Sequence, residues 1–197
     1  MNQNNKLQVK DLIILGVLNA VFMVIMLIFA MVLGIIPLAS IFVPAAAAIP
    51  LGTVFMLLMV KVAKTGTLLL SGILQGTVSL FMGISWPLIT AIVISALLGE
   101  LVIRGAYKNL KRIAISYAVL IGGYAVGSFA PLVFFADAYR AMATSRGYDE
   151  VYINKIIELL NGPVFAGILA VSIAGAFLGA LLGKRLLRKH FSKAGIV

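Results

Sequence analysis

The stretch 12–33 contains no charged side chain. About 20 such residues let a helix cross the hydrocarbon core of a bilayer. A soluble domain rarely buries so long an apolar rod on every side, so this one segment directs the chain toward a membrane. The remaining sequence agrees. Hydrophobic residues make up 62% of the 197 and charged residues 11%, against roughly half and a quarter in a globular chain. Too little polar surface is left to face water.

Further apolar stretches follow at 41–60, 67–83, 87–103, 113–136 and 163–183. Proline, glycine and paired lysines punctuate them, at Pro37 and Pro44, Lys61 and Lys64, Ser85-Trp86-Pro87 and Asn161-Gly162-Pro163. The expected architecture is therefore an all-α membrane protein, a single domain over 1–197 with six transmembrane helices. Pro44 and Pro50 are expected to kink the second span or leave its start non-helical. The first stretch exceeds the 7–15 or so apolar residues of a cleaved signal core and is expected to be retained.

The charges orient this bundle. Lys and Arg number 16 and acids 6, a formal +10 that in a soluble chain would suggest nucleic acid. Sorted by loop, all but three of the basic residues fall on one side: Lys6, Lys10, Lys61, Lys64 and the groups within 104–112 and 184–193. Only Arg140, Arg146 and Lys155 fall on the other, beside Asp137, Asp149, Glu150 and Glu158. Short loops rich in Lys and Arg stay in the cytoplasm, so both termini are expected inside. The excess charge marks topology, and no nucleic-acid partner is expected.

Little catalytic chemistry is available. Cysteine is absent and His190 is the single histidine, which removes thiolate sites and leaves little for a His-based metal centre or relay. No metal site or resident cofactor is expected, and the chain is not expected to be an enzyme. The run from Gly179 to Arg185 imitates a phosphate loop but is one residue short and carries Arg where Ser or Thr should bind magnesium. Glu100 is the one acid within the expected spans; it stands four residues before Arg104, the favourable order for a local ion pair. There is no acid relay of the kind an ion-driven carrier uses.

Small residues recur at four-residue spacing: Gly16 and Ala20, Gly72 and Gly76, Ala91, Ser95 and Gly99, Gly123 and Gly127, and Gly175, Gly179 and Gly183. Each stripe is expected to seat a neighbouring backbone. Docking to another subunit is weighed against internal packing, and it fits the first helix best. The loop 137–161 holds the densest polar and aromatic set outside the spans: Asp137, Tyr139, Arg140, Met142, Arg146, Tyr148 and Tyr152. Within it, 149–160 places Val151, Ile153, Ile156, Ile157 and Leu160 near helical spacing. A short amphipathic helix should lie over the outer mouth, either as a lid on a ligand or as an interfacial anchor. Phe81 and Trp86 stand at the outer ends of their helices, where they would line the same mouth or simply anchor at the interface.

Three segments carry a family resemblance. They are Leu7-Gln8-Val9-Lys10-Asp11-Leu12, the run PLVFFADAY ending at Tyr139, and the ending GAFLGALLGKRLLRKHFSKAGIV from Gly175 to Val197. Together they are similar to the Trep/Strep (MptD-type) bacterial membrane proteins, classed as S components of energy-coupling-factor (ECF) transporters. The resemblance implies a multi-pass protein of the bacterial plasma membrane that captures a micronutrient outside the cell. It further implies a partner T subunit and two cytoplasmic ATPases, with the S component toppling to release its substrate inward. An Ala-x-x-x-Ala motif on the first helix of S components contacts the T subunit; Gly16 and Ala20 match it here, with Gly in place of the first Ala.

S components mostly take water-soluble vitamins, and some relatives are associated with haem. Arg140 or Arg146 would suit haem propionates, and Tyr139, Tyr148, Tyr152 or Met142 an axial position. The same groups suit a flat vitamin through stacking and carboxylate pairing. Haem or another tetrapyrrole is placed ahead of a vitamin as the transported substrate. The alternative reading is a stand-alone secondary transporter of a small molecule.

Overall fold

A computed structural model describes residues 7–188. Lys6, Lys189, His190 and Lys193, used above for topology and chemistry, lie outside the described residues. The described chain is helical with no strand. Its helices are α1 (Val9–Leu33), α2 (Pro37–Ser40), α3 (Val43–Lys61), α4 (Thr67–Phe81), α5 (Trp86–Ile103), α6 (Leu110–Phe134), α7 (Ala136–Ser145), α8 (Glu150–Leu159) and α9 (Gly162–Leu186).

Five of these are long and apolar enough to cross a membrane: α1, α3, α5, α6 and α9. The sixth expected span differs. Residues 67–83 form only the 15-residue α4, about 22 Å at 1.5 Å per residue. The chain turns at Met82 and Gly83, where Gly83 takes φ 72°, a conformation natural to glycine. The second span also starts late. Residues 37–42 form α2 and a turn, and α3 begins at Val43 with Pro44 in its first turn, where a missing N–H costs nothing. Pro50 is accommodated inside α3.

The six longest helices close into a ring in the order α1, α3, α9, α6, α5, α4, with α3 also touching α6 across the middle. Small residues set the closest approaches. A Cβ added at Gly179 would stand 2.2 Å from the Ala48 carbonyl oxygen, and one at Gly52 2.2 Å from the backbone of Gly179. One at Gly72 would meet the Ala96 side chain at 2.2 Å, and one at Gly123 would meet Ser95. These stripes pack inside the bundle. At its centre, fully buried Tyr117 lies 4.8 Å from the Phe55 ring and donates to the Ala48 carbonyl at 2.5 Å.

Buried polar groups tie the ring together. Gln75 of α4 donates to Asn19 Oδ1 of α1 at 2.7 Å and accepts from the Tyr124 hydroxyl of α6 at 2.9 Å. Asn19 in turn donates to Ser71 Oγ and to the Leu15 carbonyl. Each amide therefore has partners where an unmade bond would be costly.

Glu100 corrects the expectation of a pair with Arg104. Among the described residues no ion pair joins the two. The Glu100 carboxylate accepts from the backbone N–H groups of Gly66 at 2.7 Å and Leu68 at 2.9 Å, and from the Tyr107 hydroxyl. It caps α4 from a different helix, because those first N–H groups have no partner within their own helix. At the same end, Asp11 accepts from the Gln8 N–H at 2.8 Å and pairs with Lys64 at 2.5 Å. The start of α1 is thereby fastened to the α3–α4 connection.

Candidate binding site

The opposite end of the bundle, where α1, α4 and α6 finish and α3, α5 and α9 begin, is roofed by α7 and α8. The expected helix over 149–160 is α8. Asp149 caps it by accepting from the Tyr152 N–H at 2.7 Å, and Asn161 then caps α9 through the Val164 N–H at 2.9 Å. Ile153, Ile156 and Leu160 are buried; Ile156 and Leu160 pack in one cluster with Ile41, Phe129, Leu132 and Ile168. Val151, expected on this face, is 62% exposed, because the apolar row follows 153, 156, 157 and 160.

The other half of the roof was not anticipated. The start of the expected loop, from Asp137 on, is helical instead: it forms α7, which restarts after Phe135 leaves helical geometry at φ −138°. The signal was present: four alanines favour a helix, and Asp137 and Arg140 sit three apart and pair at 2.7 Å.

Beneath this roof lies a cavity of about 320 Å³. The roof contributes Tyr139, Met142, Arg146, Tyr148 and Tyr152 to its lining, and Ser40, Ser85 and Ser128 add hydroxyl-bearing residues from outside the roof. Its apolar wall comes from the ring, with Val43, Pro44, Leu88, Phe129 and Leu132. Burial, helped by neighbouring Tyr148 and Tyr152, pushes the Tyr139 phenol above its ordinary pKa, so it remains a neutral donor at physiological pH. Two hydrogen bonds fasten the roof to the rim. The Tyr152 hydroxyl donates to the Gly34 carbonyl, and Arg146 Nη1 donates to the Gly83 carbonyl at 2.8 Å. Among the described residues no carboxylate pairs with Arg146.

The sequence-derived residues divide. Tyr139, Met142, Tyr148 and Tyr152 line the cavity together with Arg146. Phe81 and Trp86 do not; they point away from the fold at 86% and 69% exposure, as apolar side chains at a lipid boundary do. Arg140 and Asp137 also stand apart, since Arg140 is engaged by Asp137 and by Asn154 Oδ1 at 2.7 Å. Arg140 therefore braces α7 against α8. Residues that sequence reasoning missed, Ile84, Ser85, Ser128 and Gly34 among them, reach the cavity only because the helix ends converge. Among the described residues no three His, Cys, Asp or Glu side chains gather where they would hold a metal ion.

Gly16 and Ala20 lie elsewhere. A Cβ on Gly16 would meet nothing within 4 Å, unlike those on the glycines between helices, and Ala20 is exposed. Both line an apolar groove of about 360 Å³ between α1 and α4.

Long apolar helices closed into a ring, with a roofed cavity at one end, define a multi-pass integral membrane protein. The chain belongs to the Trep_Strep family, described as hypothetical bacterial integral membrane proteins, whose model matches residues 9–193. No curated relative and no solved structure matches the chain.

Proposed function

We propose that the protein is the substrate-capturing S component of an energy-coupling-factor importer, working with a T subunit and two ATPases. In this reading α4 serves as the sixth span, the basic end with both termini faces the cytoplasm, and the roofed cavity opens outside. The observation that carries it is the cavity itself. A separate pair of helices closes over it, held at the rim by Tyr152 and Arg146, as a protein that captures and then releases a ligand requires. The unpartnered strip at Gly16 and Ala20 supports a docking face for the T subunit, since small residues admit close backbone approach in a bilayer.

A volume of about 320 Å³ is near the lower end of the roughly 300–1,000 Å³ of small-molecule sites. It shifts preference from haem to a smaller, partly apolar anion, a class that includes carboxylated vitamins. Arg146 would meet the charge and the three tyrosines would orient the ring. Reconstitution decides the matter. Vesicles holding this chain with the T subunit and ATPases should accumulate substrate only with ATP and only when all subunits are present. Uptake by this chain alone under an ion gradient would overturn the proposal. A Soret band in protein purified from rich medium would return haem to first place.

A further inference from the structure

We propose that the captured ligand is an amphiphile, whose apolar tail leaves the mouth cavity past Met82 and lies in the outer half of the α1–α4 groove. This rests on the reading of the mouth cavity as the ligand site. Cavity and groove are not separate features, because Met82 lines both. Along α1, the groove takes positions 16, 20, 23 and 27, with Asn19 and Val24 beside them, and the cavity takes 30 and, one residue past the helix, 34. That alternation of four and three is one continuous helix face, so a single strip runs from the membrane side into the chamber. Leu74 and Val78 of α4, with Met82 just past its end, form the matching row.

The two compartments differ in chemistry as the two ends of an amphiphile do. Tyrosine hydroxyls and the Arg146 guanidinium serve the cavity. The groove is lined by Ala20, Met23, Val24, Leu27, Leu74 and Val78, and its one amide, Asn19, is bound to Leu15, Ser71 and Gln75. The cation also stands at the junction, because Arg146 holds the carbonyl of Gly83, the residue after Met82. An anionic head on Arg146 would place its tail beside Met82, whose unbranched side chain adapts readily to a passing chain. Eleven residues along α1, about 16 Å, separate Gly16 from Leu27. A partner helix at Gly16 and Ala20 and a ligand tail at Leu27 therefore occupy different halves.

The test uses the full chain in nanodiscs, with benzoate and para-octylbenzoate as probes and empty discs subtracted, followed by calorimetry. The octyl compound should bind at least about tenfold more tightly, since each buried methylene adds affinity. Val78→Trp and Leu27→Trp, both at exposed positions outside the cavity, should remove that advantage and leave benzoate binding unchanged. Arg146→Gln should weaken both probes about tenfold by removing a charge-assisted contact. Equal affinity of the two probes for the wild type sinks the tail and leaves the cavity reading standing. The same holds for a tail advantage that survives both tryptophans. Octylbenzoate binding indifferent to Arg146→Gln would mean the groove merely holds lipid chains and also overturns the inference. Absence of binding by either probe overturns the cavity reading with it.

Discussion

The Tyr152 hydroxyl donates to the carbonyl of Gly34 across 118 positions of sequence, at 2.5 Å. One end of that bond belongs to the roof and the other to the residue that closes α1, so it latches α8 over the cavity.

Tyr152→Phe keeps the ring and removes the latch. A net hydrogen bond is worth about 1 kcal/mol, roughly fivefold in an opening equilibrium. Amide exchange within α8 should quicken by about that factor while the amides of α3 and α9 remain protected. Unchanged exchange in α8 would show that Ile153, Ile156 and Leu160 hold the roof by themselves.

Glu100→Gln should lower the thermal midpoint by several degrees. It removes the charge from a buried group that caps α4 and meets Tyr107, and hydrogen bonds to charged groups contribute about 1.5–3 kcal/mol. Arg104→Ala should change the midpoint little, since Arg104 is exposed. The reverse order would restore the ion pair expected from spacing alone.

Tyr107 lies between α5 and α6, and burial first, then the Glu100 carboxylate, pushes its pKa up to about 12. Folding thus disfavours the phenolate. That contribution is complete below the ordinary value near 10 and is lost as pH rises toward 12. Thermal melts should show alkaline destabilisation across this window, reduced in Tyr107→Phe. An identical pH profile in the variant would refute the assignment.

Gly16→Leu and Ala20→Leu should fold normally and bind ligand, yet abolish ATP-dependent uptake with partner subunits. Gly179→Leu should not fold well, because its first added carbon already meets the Ala48 carbonyl oxygen at 2.2 Å and overpacking costs roughly 1–3 kcal/mol or more. Full transport by both α1 variants would remove the docking face.

Much of the fold was legible because a bilayer demands long apolar helices and leaves the chain few alternatives. The stretches 12–33, 87–103, 113–136 and 163–183 appear as α1, α5, α6 and α9 with shifts of a few residues. Where local signals compete, the reading failed. Spacing placed Glu100 beside Arg104, but the unpaired N–H groups at the start of α4 attract the carboxylate more strongly than an exposed guanidinium does. The 67–83 stretch is apolar to its end, yet Met82 and Gly83 turn to join the mouth. The start of the 137–161 segment, expected as loop, forms most of α7, whose alanines favour a helix.

The sequence by itself determined the medium, the helices and the uneven distribution of charge between the two ends, since each depends on composition within a window of neighbours. Only the tertiary structure decided which small-residue stripe remained open and which aromatic groups share a chamber. Gly16 and Gly179 are alike in their local pattern, and Trp86 looks as fit for a mouth as Tyr139. The ring order fills the space over Gly179 with α3 and leaves Gly16 bare, while the roof turns Tyr139 inward and Trp86 remains outside. Those outcomes depend on contacts between residues far apart in the chain, which no local window contains.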